Sequence, residues 1–91
     1  MNKLIDSIKF KINLIDRLEL MENRISCKSF KKKKIIRINK DIVKLFNRIE
    51  DNTRKILSKK ELNLLYICVV FSGMKSYLDT LKEMIRKREN E

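Results

Sequence analysis

The chain contains no histidine, no tryptophan and no proline, and its 91 residues include a single glycine, Gly73. Each absence removes a class of protein. Without histidine, the commonest general base and metal ligand is gone. Sheets joined by tight hairpins need turn residues, and one glycine with no proline supplies almost none. A glycine-rich phosphate loop is equally out of reach. The two cysteines, Cys27 and Cys68, are too few and too far apart for a disulfide framework, and with no histidine they make no zinc site. Cys27 has Lys28 and Lys31 nearby to favour a thiolate, but no base or resolving cysteine, so it reads as a structural thiol. Cys68 sits in an apolar run and reads as a small hydrophobe. Reduced thiols point to an intracellular, cytoplasmic protein. Charges recur from Lys3 and Asp6 onward, leaving no signal core. The longest apolar run, Leu64 to Phe71, falls far short of the ~20 residues that span a bilayer.

What is present is apolar and charged in nearly equal measure, 43% against 38%. That suffices for a thin core in one domain spanning residues 1–91, with a heavily solvated exterior. The formal charge is +11. An abundance of Lys, Ile and Asn is what AT-rich coding produces, but coding bias spreads evenly and this excess does not. Residues 1–25 carry five basic and four acidic side chains, residues 26–60 thirteen and three, and residues 61–91 five and five. Almost all of the excess lies in the middle third.

Periodicity predicts three helices, over about residues 3–25, 34–57 and 59–88, joined by a basic linker at 26–33. The first carries Leu4, Ile5, Ile8, Ile12 and Ile15 on one face, and a second stripe of Leu14, Leu18, Met21 and Ile25 rotated around the axis. The second is the most regular: Ile35, Ile38, Ile42, Leu45, Phe46, Ile49 and Ile56 share one side. Arg37, Lys40, Lys44 and Arg48, spaced three and four apart, stand in a row on the other. Ser58 and Glu61 have capping-box spacing and open the third helix. There the apolar run Leu64–Phe71 has no second strand to pair with, so it reads as helix. Ile67, Val70, Met74, Leu78, Leu81 and Ile85 follow as one stripe. The expected architecture is all-α, a three-helix hairpin or bundle with a basic central helix.

No constellation of side chains suggests catalysis, a metal or a cofactor. Asp16 and Glu19 read as a solvated pair on a helix surface. A helix like Lys11–Asp16 occurs in small helical chorismate mutases, but Arg24 is out of register with their arginine set and nothing downstream matches. The feature above background is the basic constellation Lys31, Lys32, Lys33, Lys34, Arg37, Lys40, Lys44 and Arg48. A row of six to eight such charges binds phosphates by releasing counterions, whatever the base sequence. The surplus of lysine over arginine argues against base readout, and the lack of interleaved aromatics argues against single-strand stacking.

The stretch Lys34–Phe46 resembles the second helix of the helical-hairpin ribosomal protein beside the nascent-chain exit of the large subunit. The shared features are a lysine–isoleucine start, a basic residue before each apolar pair and a lysine-rich approach. The resemblance implies that Lys34, Arg37, Lys40 and Lys44 contact ribosomal RNA, with the first helix in the place of the family's own. Residues 61–91 lie outside it. The expected function is therefore a non-enzymatic structural RNA-binding protein of a ribosome or similar ribonucleoprotein. One alternative is a protein–protein interaction subunit or small inhibitor docking through Leu64, Leu65, Ile67, Val70 and Phe71. Another is a peripheral membrane protein resembling the small helical bacteriocin-immunity proteins.

Overall fold

Apolar side chains recur every three or four residues along most of the chain, and each such run forms a helix. In a computed structural model, which describes residues 2–26 and 32–90, these are α1 (Asn2–Ser26), α2 (Lys32–Ile56), α3 (Lys59–Ser72) and α4 (Met74–Glu89). No strand occurs among the described residues. The all-α expectation holds. The expected linker at 26–33 falls mostly on residues 27–31, which lie outside the described residues, while Ser26 and Lys32 already belong to the helices on either side.

The helices pair as two antiparallel hairpins. Helices α1 and α2 pack along each other, α3 packs along α4, and α4 touches α1 over a shorter stretch. On α1, Ile5, Ile8, Ile12 and Ile15 are buried; on α2, Ile38, Ile42 and Ile49; on α4, Tyr77, Leu78, Leu81 and Ile85. These form one core. The ion pairs Lys9–Glu89 at 2.9 Å and Lys82–Asp16 at 3.3 Å set α4 antiparallel to α1. Both are exposed, so they orient the helices more than they stabilise them.

A buried polar contact joins the two hairpins. The Thr53 hydroxyl donates to the Glu50 carbonyl at 2.8 Å and lies 3.1 Å from the Tyr77 hydroxyl. Its one hydrogen being used, Thr53 accepts there and Tyr77 donates. Phe46 meets the Tyr77 ring edge-on at 4.9 Å between centroids, in the geometry aromatic pairs prefer. Burial pushes the Tyr77 hydroxyl above its ordinary value.

The third expected helix is two helices. Gly73 adopts φ +87 and ψ −176, a conformation open in practice only to glycine, and it ends α3 before α4 begins. The chain folds back there, so that Cys68 Sγ lies 3.5 Å from Thr80 Oγ1 and Arg88 pairs with Glu61. The break also undoes the expected stripe. Leu78, Leu81 and Ile85 are buried as anticipated, whereas Ile67 and Val70 are exposed. A reversal at residue 73 puts the two halves of that stripe on different sides of the molecule.

Candidate polyanion-binding and docking surfaces

Two surfaces stand out, one on each hairpin. The first follows from the amphipathic sequence of α2. Burial of Ile38, Ile42 and Ile49 against α1 fixes the rotation of the helix, so residues half a turn away face solvent. Lys33, Lys34, Arg37, Lys40, Lys44 and Arg48 are all exposed. None of them takes part in an ion pair among the described residues. Asp51, on the same helix, pairs with Arg54 at 3.7 Å and not with this row. Lys31 lies outside the described residues, as does the side chain of Lys32.

The row borders a shallow groove between α1 and α2. Leu14, Leu18 and Met21 line one side of it, and Lys33, Lys34, Arg37, Lys44 and Arg48, interrupted by Asp41, line the other. The rotated second stripe of α1 thus has α2 as its neighbour for Leu14 and Leu18, while Met21 stays largely exposed. Across the opposite edge of the same helix pair, the Asn39 amide, oriented to donate, reaches the Glu22 carboxylate at 2.8 and 3.1 Å.

The second surface is the outward side of α3. The helix starts at the anticipated capping box: the Glu61 N–H donates to Ser58 Oγ at 3.3 Å and the Ser58 N–H to Glu61 Oε1 at 3.1 Å. The Ser58 backbone N–H, above all, holds the Glu61 carboxyl below the usual carboxylate range, with Arg88 contributing. This cap fixes where the helix starts, and packing against α4 after the fold-back at Gly73 fixes which side of it is inward. Leu65 turns inward and is 1% exposed, with Leu62 and Val69 packed beside it on the core. Leu64, Ile67, Val70 and Phe71 turn outward, at 48%, 51%, 58% and 81% exposure.

Of the five residues expected to meet a partner, then, Leu65 does not belong to the surface. Three inward positions of α3 are needed to cover α4, and Leu65 is one of them. Tyr66, absent from the expected set, extends the patch at 67% exposure. Its signal was its place inside the apolar run; which side it took depended on the phase.

Among the described residues there is no cluster of three or more Cys, Asp or Glu side chains placed to hold a metal. No helix of the described residues is long and apolar enough to cross a membrane. Cys68 is half-buried in the α3–α4 contact, and Cys27 lies outside the described residues. Compared with known protein families, curated proteins and solved structures, the chain matches none.

Proposed function

We propose that the chain is a non-enzymatic RNA-binding protein that grips phosphates through the outward side of α2, as a component of a ribosome or similar cytoplasmic ribonucleoprotein. The observation that carries this reading is the cationic row Lys33, Arg37, Lys40, Lys44 and Arg48, which is exposed and takes part in no described ion pair. Charges already neutralised within the fold have little left to offer a polyanion; these are available. Their spacing along one helix side suits the phosphates of a duplex or a folded RNA, and counterion release supplies the affinity. Recognition is of backbone and shape, since lysine is a point charge without the planar fork that reads guanine.

The test is filter binding to structured RNA across a salt series. Wild type is expected to bind with a steep log–log slope. The triple variant Lys40→Glu, Lys44→Glu, Arg48→Glu is expected to lose most of the affinity while its helical circular dichroism is unchanged. Equal affinity of variant and wild type removes this assignment.

A second reading rests on a different observation. The outward side of α3 presents contiguous large apolar side chains, and such patches on monomers commonly mark interaction sites. A protein partner docked there would make the chain an assembly subunit, with or without RNA on α2.

A further inference from the structure

We infer that the occupant of the α3 surface is a second copy of this chain, docked helix to helix in antiparallel orientation about a two-fold axis; this rests on the docking reading above. Lys60, Leu64, Ile67 and Phe71 follow one another at intervals of four, three and four along the outward side. That is the spacing of a coiled-coil seam, the pattern by which one helix packs against another. The pattern is also its own complement. A two-fold axis between residues 65 and 66 sets Leu64 against the partner copy's Ile67, and Lys60 against its Phe71.

Charge favours the same arrangement. The last turn of α3 contains no basic residue, while Lys59 and Lys60 stand at its start. Cations stabilise a helix C-terminus and not an N-terminus. Antiparallel pairing brings the Lys60 of each copy to the C-terminal end of the other, over the face of an exposed phenylalanine, which attracts an ammonium. Lys60 has no ion pair among the described residues to give up. Repulsion between copies is weaker here than it would be through α2, because α3 carries two basic side chains and one acidic, Lys59, Lys60 and Glu61, against nine and three on α2.

The area is adequate for a weak, specific dimer. Tyr66, Phe71 and the three aliphatic residues expose on the order of 500–600 Å². Pairing two copies buries at most about 1,000–1,200 Å², at the lower limit of specific interfaces. A dissociation constant on the order of micromolar is expected.

Sedimentation of the 91-residue chain, freed of nucleic acid, over a concentration series at about 0.1 M and about 1 M salt tests this. The expected result is a monomer–dimer equilibrium that is as tight or tighter at high salt, since apolar burial is unscreened and like-charge repulsion is screened. Ile67→Asp, on an exposed position, is expected to weaken it at least about tenfold with circular dichroism unchanged. In a Cys27→Ser, Cys68→Ser background, a chain carrying Lys60→Cys should cross-link under oxidation to one carrying Phe71→Cys. Dimerisation without that cross-link overturns the antiparallel register. Wild type that stays monomeric at every concentration, or Ile67→Asp that dimerises as well as wild type, overturns the dimer. Monomeric wild type that holds a different protein, released by Ile67→Asp, also overturns the dimer but leaves the docking reading standing.

Discussion

Helices α2 and α3 meet at Leu57 and Ser58 and expose opposite chemistries. On α2 the division is sharper: Ile38, Ile42 and Ile49 point inward and lysines and arginines outward, with Ile36 and Val43 the exposed apolar exceptions. On α3 both sides are apolar, and the inward set, Leu62, Leu65 and Val69, is no more hydrophobic than the outward set, Leu64, Ile67 and Phe71. Packing within one chain covers most of the apolar side of the first helix. It satisfies only half of the second. The contrast teaches that a charged exterior is a stable end state that can also serve a ligand, whereas an apolar exterior costs solubility and is retained where something covers it. The two proposed roles are expected to respond oppositely to salt. Phosphate binding on α2 would weaken steeply as counterions compete, while association through α3 would not.

The contrast is most sharply tested inside α3 itself. Leu65→Asp buries a charge in the core and is expected to cost about 4 kcal/mol or more, enough to unfold a domain of this size. Ile67→Asp, two positions on, is expected to change the stability of the monomer by less than about 0.5 kcal/mol. Urea midpoints of the two variants check this, and comparable losses would mean that Ile67 is not outward in solution.

The triple reversal Lys40→Glu, Lys44→Glu, Arg48→Glu comes next. An RNA affinity lower by about 100-fold and a salt slope shallower by about three units are expected. Binding that falls as far with Ile67→Asp would erase the distinction between the surfaces.

Gly73 decides which side of α3 faces out, so Gly73→Ala probes the origin of the contrast. The space around it is open, with no atom within 4 Å of an added Cβ. The cost is one of backbone conformation at φ +87, about 1–3 kcal/mol, readable as a fall in melting temperature.

The smallest effect lies at the junction of the two helices. Ser58→Ala removes the cap and is expected to cost about 1 kcal/mol at neutral pH. The Glu61 carboxyl is held below its ordinary value in the folded chain, so its contribution is present above the unfolded value and is lost as pH falls through the folded one. The gap between wild type and Glu61→Ala in urea midpoint should therefore shrink as the solution is made acid. A constant gap would mean that Glu61 takes no part in the cap.

Much of this protein was legible before folding. The all-α class followed from the missing turn residues, and the isoleucine face of α2 from its period. The capping box at Ser58 and Glu61 was readable from spacing alone. Because Arg37, Lys40, Lys44 and Arg48 lie opposite the isoleucines, their exposure was implied by the same period. These are local properties, set within one or two helical turns. The sides of α3 were not legible. An apolar run such as Leu64–Phe71 is hydrophobic all round and has no periodicity to orient it, so neither the inward turn of Leu65 nor the exposure of Tyr66 follows from the residues alone. The lone glycine was visible, yet it could be read as a stop only with the knowledge that α4 folds back, because a glycine inside a helix costs only about 1 kcal/mol and does not by itself end one. Residue types and their spacing thus determined the helices and the basic face. The reversal at Gly73, the inward turn of Leu65 and the joining of Thr53 to Tyr77 belong to the tertiary structure, because each depends on which surface a helix finds to bury against, and that surface lies elsewhere in the chain.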